Sequence, residues 1–161
     1  MESSEGGDLH DRVAGYLRAH HTMTVATVGL TGNTPHAACV FYAVDQTLRL
    51  VFLSRPTSVH GADIGEAAPV AVTVYEDYGD WESIQGVQLW GEARLLQGAA
   101  RAGALAVYLK RFPFVRELLS RPRLAEIARD LGVYRVTPLR AAFTDNTTGV
   151  FGREILELTS E

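Results

Sequence analysis

The chain has 161 residues, 47% hydrophobic and 21% charged, and carries a formal net charge of −4 at pH 7. Those values fit one soluble domain large enough to bury its own core, and they exclude a disordered chain. The acidic surplus offers no general attraction to phosphate backbones and no apolar run is long enough to span a bilayer, so neither nucleic acid nor membrane is expected as a partner.

The opening MESSEGGDLHDR is acidic and polar, unlike a secretory signal, and residues 1–7 are expected to be flexible. From Leu9, the positions Leu9, Val13, Tyr16, Leu17 and His20 recur at helical spacing, with Asp8 as a plausible N-cap. Short runs rich in β-branched and aromatic residues follow at 22–29, 36–44, 48–54 and 69–77, and turn material such as LTGN and DQT separates the first three as in hairpins. A helical segment of about 57–65 precedes the fourth run. The fifth, 84–96, alternates cleanly, with Val87, Leu89, Ala93 and Leu95 on one face and Gln88, Trp90, Glu92 and Arg94 on the other. A helical insertion over 98–131 is broken by Pro113 and Pro122, and the runs 132–146 and 153–158 supply the last strands.

Two of these runs, HAACVFYAV and LRLVFLS, are apolar on both faces, so their outer face must be covered by a helix, another subunit or a flat ligand. Six or seven short antiparallel strands with inserted helices predict a closed barrel in a single domain, 1–161, because closure removes exposed edges. The lone cysteine, Cys39, excludes an internal disulfide and a cysteine-rich zinc site and fits a reducing cytoplasm. Its apolar neighbours make it a small core residue in this reading. His20 and His21 read as a solvated helix end, and His36 as a structural residue opening a strand. Trp81 and Trp90 read as interface or core aromatics. Lys110, Arg111, Arg116, Arg121 and Arg123 form either a solvated face or a site for a phosphorylated substrate or nicotinamide nucleotide.

Several motifs, taken in order, carry a resemblance: Phe41-Tyr42 with Asp45, Gly86 to Gln88, Gly91-Glu92, Arg111 to Pro113 and above all FTDNT at 143–147. Over Leu9 to Leu158 the chain resembles the pyridoxamine 5'-phosphate oxidase-like FMN-binding split barrels, and within them the bacterial YhbP-like branch. The resemblance implies a mainly β, α+β split barrel that forms a homodimer and holds FMN at the subunit interface. It also implies a small flavin-dependent oxidoreductase taking electrons from a donor such as NAD(P)H. The flavin ring would lie along Cys39, Val40, Phe41 and Leu53, near Gln88 and Trp90, and its phosphate would meet Ser54, Arg55, Thr57, Ser58 and His60.

The same hydroxyls have a plainer use, since Thr57 or Ser58 can simply cap a short helix. Where the oxidase pattern has a serine and two basic residues, this chain has Ser58, Val59 and His60. Thr144 stands where the pattern has a tryptophan, and the arginine-rich tail is missing, so pyridoxamine phosphate oxidation is not the expected reaction. Asp145 and Asn146 either reach the flavin or substrate, with Gly149 and Gly152 permitting close approach, or form an Asx-type turn. Non-catalytic binding of flavin, deazaflavin or haem is the alternative on the same fold. The Asn146-Thr147-Thr148 glycosylation match lacks a secretory context and reads as chance.

Overall fold

The computed structural model describes the backbone of residues 2–149 and 151–158. Helix α1 (Glu2–Ala19) leads into strands β1 (Thr22–Val28), β2 (Pro35–Val44) and β3 (Leu50–Ser54). Helix α2 (Val59–Ile64) precedes β4 (Ala67–Tyr75) and β5 (Gln85–Leu95). Helices α3 (Gly98–Arg111), α4 (Pro113–Leu119) and α5 (Pro122–Arg129) then precede β6 (Gly132–Asp145), a 3-10 turn (Asn146–Thr148) and β7 (Arg153–Glu157). The seven strands run in the order β3-β2-β1-β4-β5-β6-β7, all neighbours antiparallel, and β3 also pairs with β6. That extra pairing closes six strands into a barrel and leaves β7 outside, attached to β6 alone.

Strand alternation decides what fills the barrel. Met23 and Val25, Tyr42, Leu50 and Phe52, Val72 and Val74, Val87 and Leu89, and Tyr134 and Val136 all point inward and are almost fully buried. Helix α1 adds Leu9, Val13 and Leu17 to this core. It meets the barrel where β1 begins, with Tyr42 Oη donating to the Leu17 carbonyl at 2.6 Å. Helix α2 adds Ile64 where β1 ends, and there Thr27 Oγ1 donates to Asp63 Oδ2 at 2.6 Å. Each such aliphatic side chain removed from water contributes about 1.5–3 kcal/mol. A second cluster joins the outer side of the barrel to the helical insertion: Ala43, Val51 and Val133 pack against Ala104, Tyr108 and Phe112. This explains why LRLVFLS is apolar on both faces.

Three expectations are corrected. Helix α1 begins at Glu2, so Asp8 lies inside it and caps nothing; the glycine pair at 6–7 costs a helix about 1 kcal/mol per residue and does not stop it. Pro113 and Pro122 break the insertion into three helices, each proline standing at the first helical position, where its missing N–H leaves no bond unmade. Cys39 is exposed, not core. On β2 the inward parity belongs to Ala38, Val40 and Tyr42, which puts Cys39 and Phe41 on the outer face.

Opposite Trp90 and Gly91 the register of β6 shifts by one residue: Trp90 pairs with Arg140 but Gly91 with Pro138, and Leu139 bulges outward. Gly91 is needed there, because a Cβ would collide with the Thr137 carbonyl oxygen.

Candidate cofactor site

The residues after β3 turn sharply into α2, and the turn is built around Ser58. Its Oγ donates to the Arg55 carbonyl at 2.7 Å and accepts from Gly61 N at 3.1 Å, an N-cap in which the hydroxyl is fully used. Gly61 permits this tightness, since a Cβ there would meet the Arg55 carbonyl oxygen. Ser54, the last residue of β3, behaves differently. Its Oγ lies 2.6 Å from His60 Nε2 and 3.2 Å from Ser58 Oγ. His36, at the start of β2, stacks parallel to His60, with ring centroids 6.1 Å apart and an interplanar angle of 3°. Burial and then the nearby His36 push the His60 imidazole below its usual pKa, against an opposing pull from Asp63. His60 is therefore a neutral hydrogen-bonding group near pH 7. Arg55 and Thr57 are exposed, and no ion pair engages Arg55 among the described residues.

The outer face of the sheet beside this turn is flat. Backbone pairing sets Cys39, Thr24, Thr73 and Gln88 in one row, and Ala37, Ala26, Ala71 and Trp90 in the next. Phe41 rises at one edge, half exposed, with its ring against Phe112 and Phe114. Leu53 sits between this face and the second apolar cluster, whereas the Val40 side chain points into the barrel and offers a ligand only its backbone. Gln88 and Trp90 share the face but lie three strands from Cys39, about 14 Å at the usual strand spacing. One chain thus brings Cys39, Phe41, Leu53, Ser54 and His60 together and leaves Gln88 and Trp90 apart.

Arg153 of β7 was not among the candidates from sequence. It donates to Gln88 Oε1 at 2.9 Å and lies 5.8 Å from the Trp90 ring centroid, within cation–π range. Only the pairing of β7 with β6 brings it there, and no sequence spacing encodes that.

Asp145 and Asn146 take the turn geometry. Asp145 Oδ1 accepts from Thr147 N at 3.1 Å and Thr147 Oγ1 at 2.6 Å, while Oδ2 faces Arg12 at 3.5 Å. Asn146 Nδ2 donates to the Trp81 carbonyl at 2.7 Å. Gly152 lies close under the turn, where a Cβ would come within 2.7 Å of the Asp145 carbonyl oxygen. The motif therefore ties β6 to α1, to the β4–β5 loop and to the approach to β7. Trp81 itself is exposed. His20 is less solvated than its position suggests: it stacks on Tyr16 and its Nε2 lies 2.7 Å from Glu76 Oε1.

A six-stranded antiparallel barrel closed by β3–β6, with an inserted helix after the third strand and a flat outer face, defines the split-barrel class. The family model described as pyridoxamine 5'-phosphate oxidase matches residues 9–145, and the chain belongs to that family. Among its relatives, a UPF0306 protein of Cronobacter sakazakii is 34% identical over 155 residues, covering 96% of this chain and 98% of that protein. A UPF0306 protein of Klebsiella pneumoniae is 39% identical over 119 residues, 73% of each chain. The UPF0306 protein YhbP of Salmonella paratyphi B is 35% identical over 119 residues, again 73% of each. The fold is also similar to Campylobacter jejuni ChuZ, with a TM-score of 0.71 at 11% identity, covering 94% of this chain and 60% of that one. HutZ, the haem storage protein of Vibrio cholerae, aligns with a TM-score of 0.65 at 15% identity, covering 80% of this chain and 88% of that one.

Proposed function

We propose that this protein is a cytoplasmic FMN-binding flavoprotein, a small flavin-dependent oxidoreductase that works as a homodimer on a small-molecule substrate. The observation that carries the reading is the flat shelf of Cys39 and Phe41, continued by Leu53 and ending at the Ser54–His60 pair. An aromatic ring system fits the shelf, and its phosphate fits the polar end. The donors suit the group in part. Ser54 Oγ, a neutral His60 and the exposed Arg55 and Thr57 can meet a phosphate, while Ser58 is held by its capping bonds. Helix α2 has six residues, too short to lend a strong dipole, so the side chains carry the binding.

Bound flavin would supply two-electron transfer between a reduced donor and an acceptor. The chain's own part is to orient the ring on the shelf, to hydrogen-bond the phosphate and to exclude water. The dimer follows from distance: Gln88, Trp90 and Arg153 of the same chain lie too far along the sheet to meet a ring beside Ser54, so they complete the site only from a second copy. Pyridoxamine phosphate oxidation is not proposed, given Thr144 and the capped Ser58.

A second reading is non-catalytic binding of flavin, deazaflavin or haem, in the manner of a stress-associated protein. The full use of the Ser58 hydroxyl in its own turn favours it, because it weakens the grip on any phosphate. An absorbance spectrum of the purified protein before and after FMN separates the two. Flavin bands that persist through gel filtration and bleach with NADH or NADPH support the enzyme. Bound flavin that neither donor reduces supports the binder, and a protein that ignores FMN but takes up haem replaces the cofactor.

A further inference from the structure

A cavity of about 690 Å³ opens on another side of the molecule, between the last turn of α1, the β2–β3 turn and α3. It shares no residue with the shelf or with the Ser54–His60 turn. Its floor is apolar, formed by Leu17, Tyr42, Ala43 and Val107. Its rim carries Arg18, Arg49, Lys110 and Arg111 against a single carboxylate, Asp45, in a chain whose net charge is −4. Such a concentration of one sign over an apolar floor focuses an attractive field on small anions.

The lone carboxylate does not cancel that field. Asp45 Oδ1 accepts from Thr47 N and Thr47 Oγ1, both at 2.8 Å, and from Arg49 N at 3.1 Å, while Oδ2 takes Arg49 Nε at 2.9 Å. Its oxygens are satisfied within the turn, and the two terminal nitrogens of Arg49 keep no partner among the described residues. Arg111 is engaged too, donating to the carbonyls of Arg18 at 2.7 Å and His20 at 3.3 Å, which neutralises the end of α1. Arg18 and Lys110 form no ion pair among the described residues. Two unengaged cations and the free end of a third match the charge of a phosphate monoester, between −1.5 and −2 at pH 7, better than that of a single carboxylate.

We propose that this cavity binds a small organic phosphate, its anion held by Arg18, Arg49 and Lys110 and its apolar body laid against Leu17, Tyr42 and Val107. The site is independent of the flavin reading. In a protein that also carries a flavin it would place a phosphorylated ligand away from the cofactor's own phosphate.

The test is calorimetric titration of the full-length protein with phenyl phosphate, as purified and again after addition of FMN. The expected result is one phenyl phosphate per chain in both cases. Affinity should fall about tenfold or more in Arg18→Ala/Lys110→Ala, the scale of losing a charged hydrogen-bond partner. It should also fall in Val107→Trp, which fills the floor, and be unchanged in Ser54→Ala, which belongs to the other site. Absence of binding to the wild-type protein, binding that survives both the double substitution and Val107→Trp, or binding lost in Ser54→Ala would each overturn the proposal. A protein that fails to bind FMN leaves the first titration fully readable.

Discussion

His60 Nε2 lies 2.6 Å from the Ser54 hydroxyl, while the His60 ring runs parallel to that of His36. Two histidines of different elements therefore meet over one serine, and the burial that brings them together keeps His60 uncharged. Its pKa is lowered from the ordinary value of about 6.5, first by burial and next by His36. As pH falls, the unfolded chain takes up this proton before the folded one does. The stability His60 contributes is full above about pH 6.5 and is lost as pH falls through the lower folded value. Melting temperatures from about pH 7 down to about pH 5 should decline less steeply in His60→Gln than in the wild type. Parallel curves would remove His60 from the acid response. FMN affinity, for its part, should be flat from about pH 7 to 8, because the imidazole is already neutral there.

Ser54 and Ser58 should separate cleanly on substitution. Ser54→Ala is expected to weaken FMN binding by about tenfold, with little change in melting, since its hydroxyl caps nothing. Ser58→Ala removes an N-cap and should cost about 1 kcal/mol of stability, with a smaller effect on the flavin. Fluorescence titration with FMN and a urea unfolding curve on both variants decide this, and equal effects on both readouts would merge the two roles.

Replacing Asp145 by Ala should lower stability by about 1–2 kcal/mol, through loss of the turn's cap and of the carboxylate facing Arg12. Burial opposes ionisation of Asp145, but the bonds from Thr147 and the charge of Arg12 outweigh it and hold its pKa below the ordinary value. Its contribution is thus present above about pH 4 and lost as pH falls through the folded value. Calorimetric melting of Asp145→Asn should show a shallower loss on acidification. A larger change in flavin fluorescence than in melting would return Asp145 to the cofactor.

Tyr134 stacks on Phe52 with ring centroids 5.0 Å apart, and its fully buried hydroxyl has no hydrogen-bond partner among the described residues. An unpaired buried hydroxyl costs about 1–3 kcal/mol, so Tyr134→Phe should leave stability unchanged or raise it by about 1 kcal/mol. A lower urea midpoint in the variant would mean that the hydroxyl is satisfied in solution.

Gly91→Ala should destabilise by about 1–3 kcal/mol, because the added methyl meets backbone rather than a side chain that can move aside. Gly103→Ala, on an open helix face, is the control and should be neutral or stabilising. Similar unfolding midpoints for the two variants would count against the close approach at Thr137.

Strand alternation in 84–96 carried its own solution. Polar residues on one side fixed the inward parity of Val87, Leu89 and Ala93, and the structure keeps it. In HAACVFYAV both parities are apolar, so period alone could not decide between Cys39 and Val40, and the neighbours Leu17, Tyr42 and α1 settled it in three dimensions. The Ser54–Ser58–His60 group was legible because it is local, six residues from end to end in separation. His36, Arg153 and the 14 Å gap to Trp90 depend on which strands pair, and that information is spread over the whole chain. The cavity near Lys110 was only half visible: its basic residues stood out, but Arg18 and Arg49 joined them through folding.

The bulge at Leu139 makes β6 a strand with two reading frames. Before it, even-numbered residues such as Tyr134 and Val136 face the barrel; after it, odd-numbered ones such as Ala141 and Phe143 do. Removing one residue here would keep the composition intact yet turn the second half of the strand inside out, presenting Ala142 and Thr144 to the core and carrying Phe143 and the Asp145 turn to the wrong side. What this segment has to preserve is therefore its count of residues as much as their kind, and a length change of one would be felt at α1, at the β4–β5 loop and at β7 together.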